Sequence, residues 1–220
     1  MTVSTEEFLS LFNFQQAWYK VKENKGCAGV DYETIADFAL KEQANLSDLR
    51  ESVANSNYQP QPYKQVLIPK DKDKFRELRI PSVRDRIVQQ ALLNVIRIPI
   101  EREFSPCSFA YRPNMSYIQA VEKVAYWRDE GFNWVLDADI VKYFDNIDHQ
   151  QLLIEVRQHI ENPGILCLIK SWISTGIKTE EGLELPEKGI PQGAVVSPLL
   201  ANIYLDKFDH TISTLSLIHI

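Results

Sequence analysis

The segment Trp134–Ile140, WVLDADI, is the strongest constraint on what this chain can fold into. It reads as a compact apolar strand, and the period of two places Asp137 and Asp139 on the same side. A carboxylate at the end of a buried strand is costly to desolvate unless a cation offsets it. A divalent metal suits that position, since Mg²⁺ takes one or two carboxylates together with substrate phosphates. Asp139 is the candidate ligand, with the Ile140 carbonyl beside it as a second oxygen. On the residues alone, metal ligand and strand-end turn residue are level readings of Asp139. Asp148, with Gln151 three residues on, reads instead as the cap of the next helix.

The elements around this strand alternate between helical and extended patterns, which points to an α+β fold. Residues 4–24 read as one amphipathic helix opened by a Ser4/Glu7 capping box. After the break at NKGCAGVDYET, a second helical stretch runs to about Val53. VLIP and ELRIP read as two short strands joined by the charged turn KDKDKF, each ended by its proline. Helical spacing returns over RDRIVQQALLNVI from Asp85, and again over 116–130, 149–160, 164–173 and 198–212, the last starting at Pro198. There is no repeat and no evident linker.

Composition narrows the class. The 220 residues are 45% hydrophobic and 25% charged, which excludes wholesale disorder, collagen and coiled coil. The cysteines, Cys27, Cys107 and Cys167, form no CxxC pair, so a zinc ribbon or dense disulfide framework is excluded and a reducing, cytoplasmic setting is expected. No signal peptide is recognisable, and no stretch reaches the roughly 20 apolar residues of a membrane span. The net charge of -6 by itself argues against a nucleic-acid partner. Residues 64–86 reverse that: eight Lys/Arg against four acids give a local +4, leaving -10 on the other 197 residues.

Three further segments carry chemistry. In GIPQGAVVSPLLANIY (189–204), Gly–x–Pro–Gln–Gly gives a tight turn whose backbone can approach a ligand closely, with Gln192 offering donor and acceptor; a simple loop before the helix that Ser197-Pro198 starts is the other reading. In the basic hairpin, Lys70 and Arg76 flank the turn and could grip a polyphosphate, Arg by a bidentate contact and Lys as a point charge, although a hairpin of this kind standing alone is more often a solvated charged surface. In SFAYRP (108–113), aromatics alternate with Arg112, facing either a nucleic-acid backbone or the core. The four histidines show no metal-ligand spacing, no Ser/His/Asp or Cys/His arrangement is recognisable, and no GxxxxGK[ST] loop exists, so a P-loop NTPase is out.

Taken in order from about Lys25 to Asp209, these segments resemble the reverse transcriptases of the group II intron type. KGCAGVD is similar to the N-terminal block, PYKQVLIPKDKDKFRELRIPSVRDRIVQQALLNVI to the first fingers block and FSPCSFAYRPNMS to the second. WVLDADIVKYFDNIDH is similar to the first palm motif and GIPQGAVVSPLLANIYLDKFD to the next. AYRPNMS, LDADI and the N-terminal block also resemble the branch associated with CRISPR adaptation genes. The resemblance implies a right-hand polymerase: residues 1–81 as N-terminal helices and fingers with the basic hairpin, and 82–220 as remaining fingers and a partial, antiparallel palm with flanking helices. It implies Asp139 as the catalytic aspartate that binds metal together with Ile140, and two Mg²⁺ ions in the complete enzyme, with Mn²⁺ as an alternative. Phe144 then matches the aromatic that rejects a 2′-hydroxyl. Pro191, Gln192 and Gly193 match the loop at the incoming nucleotide, and Lys70 and Arg76 the cations on its triphosphate. Arg79, Arg84, Arg86 and Arg112 are expected on nucleic acid.

Implied partners are an RNA template with a DNA or RNA primer, dNTPs and a CRISPR integrase, in a prokaryotic cytoplasm and without a membrane. The family's Tyr–x–Asp–Asp hairpin is not found: no Asp-Asp pair occurs, and its spacing falls beyond Ile220. A thumb is missing as well, and the tail STLSLIHI departs from the pattern. The expectation is an N-terminal fragment that is inactive alone. A viral-type RNA-directed RNA polymerase fits less well, given Phe144 and Pro-Gln-Gly. The rival of another class is a non-catalytic nucleic-acid- or partner-binding remnant of a polymerase.

Overall fold

Capping residues set where the elements begin. The structure, a computed structural model, describes residues 4–71 and 74–218. Two helices, α1 (Thr5–Phe8) and α2 (Leu11–Glu23), replace the single one expected over 4–24. Ser4 Oγ accepts from the Glu7 amide at 3.2 Å and Ser10 Oγ from the Asn13 amide at 3.1 Å. A second capping serine restarts the helix where hydrophobic spacing alone shows no break. α3 (Ile35–Leu40), opened by a Thr34/Asp37 capping box, and α4 (Glu42–Ala54) divide the next stretch at Lys41.

β1 (Tyr63–Asp71) and β2 (Lys74–Ile80) form an antiparallel hairpin longer than VLIP and ELRIP. Pro69 does not end β1. It lies opposite Phe75, with a register irregularity between Pro69 and Asp71, the kind of site at which a strand tolerates a residue without a donor. Lys72 and Asp73, in the middle of the expected turn, lie outside the described residues.

α5 (Val83–Glu101) is the central helix. Ile87, Val88, Ala91, Leu92, Leu93 and Ile96 are all buried, as are Gln89 and Arg86 on its other side. Burial on more than one face places a helix inside a structure rather than on it, and both α1 and α2 pack against α5. α6 (Tyr117–Asp129) buries none of its residues. A short turn, α7 (Tyr143–Asn146), leads to α8 (His149–His159) and α9 (Pro163–Ser174). Asp148 caps α8 as its spacing requires, accepting from the Gln151 amide at 2.8 Å. Two-residue strands β3 (Ile177–Lys178) and β4 (Leu183–Glu184) precede the long α10 (Ser197–Ile218).

The fold is α+β, with a four-stranded sheet in the order β2-β1-β3-β4. Two expectations about it need correction. The sheet is mixed, because β1 runs parallel to β3 through Tyr63–Ile177 and Lys64–Lys178. It also grows from the basic hairpin and does not include Trp134–Ile140, which is extended but unpaired. A strand exists by its ladder, and no described strand runs beside this segment. Its apolar side chains therefore face water: Trp134 is 97% exposed and Leu136 92%. Asp137 and Asp139 are exposed too, so no burial cost falls on either carboxylate.

One hydrophobic cluster joins the two ends of the chain, including Phe14 and Trp18 of α2, Leu92 of α5, Leu152 of α8, Trp172 of α9 and Leu200 of α10. Among the described residues, no helix is long and apolar enough to cross a membrane. The three cysteines are free and exposed.

Candidate active site

The Gly189–Gly193 loop is held against two other motifs by its backbone. Gly189 donates to Ile147 O at 2.7 Å, and Ile190 donates to Phe144 O at 2.8 Å. Arg79, near the root of β2, donates from its backbone to Gln192 O at 2.8 Å. Both glycines are required by conformation and space: Gly189 has φ +84° and Gly193 φ +121°. A Cβ would stand 2.8 Å from Asp145 O at the first and 3.0 Å from Arg79 O at the second, where only glycine fits without displacing backbone. His149 Nε2 lies 2.6 Å from Gly189 O and donates to it in the tautomer that carries the proton there. Farther along, the Val195 amide donates to Gln89 Oε1 of the buried α5 at 2.9 Å. Pro191 is buried, Gln192 half-buried and Gly193 exposed.

Phe144 is half-buried on α7, which begins after Lys142 in the left-handed region at φ 48°. A non-glycine residue in that region costs about 1 kcal/mol or more, and here it turns the chain from the extended 134–140 segment into α7. The Tyr143 hydroxyl fastens the turn to α10 by donating to Ala201 O at 2.6 Å, and burial pushes its pKa upward. Phe144 meets the ring of Tyr143 edge-on at 5.9 Å and that of Tyr111 at 6.2 Å.

The arginines divide by partner. Arg112 is almost wholly enclosed: its guanidinium donates to Glu101 Oε2 at 2.7 Å and to the carbonyls of Ser105, Ser108 and Glu101 at 2.7–2.9 Å. Arg86 is buried and donates to Cys27 O at 2.5 Å and Ser82 O at 3.3 Å, and desolvation lowers its pKa. Arg84 grips Glu33 by two bonds of 2.9 Å and lies over the Phe38 ring. These internal partners tie loops to α5. Arg79 is also engaged, with Glu77 at 2.8 Å and Asp145 at 3.6 Å. Lys70 and Arg76 are exposed near the tip of the hairpin.

Asp139 and Ile140 contribute at most a carboxylate and a carbonyl oxygen, against the six donors of an Mg²⁺ shell. Among the described residues, no group of three His, Cys, Asp or Glu is placed to hold a metal ion. The described residues therefore do not make a two-metal centre, although they leave Asp139 open to solvent.

Residues 68–219 match the family described as "Reverse transcriptase (RNA-dependent DNA polymerase)". The chain belongs to the reverse transcriptases. It is 34% identical to Protein YkfC of Escherichia coli (strain K12) over 82% of this chain and 49% of that one. It is 30% identical to the group II intron-encoded protein LtrA of Lactococcus lactis subsp. cremoris over 88% of this chain and 32% of that protein. It thus spans about half, or less, of the length of these curated relatives. The "Partial Cas6-RT-Cas1--Cas2 complex" has the same fold over 94% of this chain and 34% of the compared one, with a TM-score of 0.62 and 24% identity. As a family, reverse transcriptases work with divalent metal ions and on nucleic-acid templates.

In this reverse transcriptase, the structure brings together Phe144, Gln192 and the root of the hairpin, and leaves Asp139 apart from any other carboxylate cluster among the described residues. Sequence reading missed Tyr111 as a neighbour of Phe144, although the alternating aromatics of SFAYRP carried that signal. It also missed the inward role of Arg79, for which the only cue was an arginine two residues before the proline that ends the strand.

Proposed function

We propose that this chain carries the nucleotide-holding fingers and the first part of the palm of an RNA-templated DNA polymerase of the group II intron type. The observation that carries the reading is the joint itself: backbone bonds from Arg79 to Gln192 and from Ile190 to Phe144 gather three sequence-distant motifs at one corner. In this reading Phe144 excludes a ribose 2′-hydroxyl by bulk, and Gln192 offers an amide to the incoming dNTP between Pro191 and Gly193. Lys70 and Arg76 attract its triphosphate from the hairpin tip. Positioning and charge neutralisation of this kind are most of what phosphoryl transfer asks of a protein. Asp139 is the metal-facing carboxylate, with the Ile140 carbonyl beside it, as one share of a donor set that the described residues do not complete. The substrates are an RNA template with a DNA or RNA primer. The likeness of fold to the Cas6-RT-Cas1–Cas2 complex supports a CRISPR integrase as protein partner.

The test is primer extension on an RNA template by the complete gene product. Asp139→Asn is expected to abolish extension and to leave RNA binding by filter retention unchanged. Undiminished extension removes Asp139 from the reaction. RNA binding without any extension by the wild type turns the assignment to a binding remnant.

A further inference from the structure

Arg79 touches both walls of the proposed nucleotide corner with different atoms. Its backbone N–H holds Gln192 O at 2.8 Å. Its side chain, 15% exposed, reaches Glu77 Oε1 from Nε at 2.8 Å and Asp145 Oδ1 from Nη2 at 3.6 Å. Asp145 directly follows Phe144 on α7, so a shift of the turn's backbone that moves Asp145 moves Phe144 as well. The packing at this point is also tight on the other side, since the Arg79 carbonyl sits 3.0 Å from where a Gly193 Cβ would be. A planar guanidinium addresses two carboxylates at once, which a lysine ammonium cannot do with the same geometry. An arginine held between Glu77 and Asp145 is occupied within the protein.

We infer that Arg79 is a positioning residue that sets the choice between deoxy- and ribonucleotides, by fixing the Phe144 turn at a set distance from the Gln192 loop. The inference rests on the reading of Phe144 and Gln192 as the groups that face the incoming nucleotide. Without the bridge from Glu77 to Asp145, α7 keeps its backbone bond to Ile190 and the Tyr143 bond to Ala201 O but loses its restraint on the side of the hairpin. Phe144 can then yield to a 2′-hydroxyl, while the fit to a dNTP loosens.

The measurement is kcat/KM for one dNTP and the matching rNTP in primer extension by the complete gene product. Arg79→Ala is expected to lower the dNTP/rNTP ratio about fivefold, a size in keeping with small misplacements of a reacting geometry. The dNTP loss should appear in KM, and the rNTP should gain. Asp145→Asn is expected to shift the ratio in the same direction, and the double variant to go no further than the larger single effect. Phe144→Ala, run in parallel, should lower the ratio more than either. Equal losses for dNTP and rNTP in Arg79→Ala overturn the inference, because a merely structural role moves both alike. Additive effects of the two charge variants overturn the coupling. A lowered ratio in Phe144→Ala with an unchanged ratio in Arg79→Ala defeats the Arg79 inference alone, whereas an unchanged ratio in Phe144→Ala defeats the gate reading beneath it. If Arg79→Ala does not fold, Asp145→Asn decides by the same ratio.

Discussion

The Asp85 carboxylate accepts from the Tyr58 hydroxyl at 2.5 Å, from Ser82 Oγ at 2.8 Å and from the Gln61 amide at 3.1 Å. Those bonds favour its charged form, but 2% exposure outweighs them and pushes its pKa up from 3.8 to about 6. The unfolded chain, with an ordinary aspartate, gives up this proton first as pH rises. The group's contribution to stability is therefore full below about pH 4 and is lost as pH climbs through about 6, by roughly 3 kcal/mol. Asp85→Asn should remove that loss, so denaturant midpoints of wild type and variant diverge in slope between pH 4 and 6.5. Parallel slopes would reject the assignment. Because the Gln61 amide stands two residues before β1, this one carboxyl ties the start of the hairpin to the first turn of α5.

Among the elements, the β1/β2 hairpin joins opposite requirements: a root held by Tyr63 and Arg79, and a tip with Ile68, Phe75 and Arg76 turned to solvent. Reversing charge at Lys70 and Arg76 should raise the KM for dNTP about tenfold at low salt and less at high salt, since exposed charges are screened beyond about 10 Å at 0.1 M. The melting temperature should stay within about 2 °C, because exposed charges contribute little to folding. A KM change indifferent to salt would argue against a phosphate contact. The same contrast explains what the sequence disclosed. The long helices α5, α6 and α8 follow from spacing and capping residues such as Asp148, which act locally. The division at Ser10 is set by a local serine cap that hydrophobic spacing alone does not reveal, whereas the parallel pairing of Tyr63 with Ile177 and the hold of Arg79 on Gln192 depend on partners more than 100 residues away. WVLDADI shows the converse: its alternation is that of a strand, but strand formation waits on a neighbour. Phe144 and Gln192 were legible as a pair of motifs, and their meeting through Ile190 was not.

At the scale of the whole molecule, the polarised charge and the shared core serve different ends. The charge is divided between +4 over residues 64–86 and -10 over the rest, while Trp18, Leu92, Trp172 and Leu200 unite residues from both halves of the chain. Between those halves, residues 132–141 run exposed and without a described strand partner. A protease of chymotrypsin type should cut there early, after Trp134 or Leu136, and the two products should still co-elute on gel filtration under native conditions. Their separation without denaturant would contradict a common core. The exposed run is thus a tether and not a hinge of the core: two pieces divided at that point and made separately are expected to associate through the shared core of α2, α5, α9 and α10 when mixed.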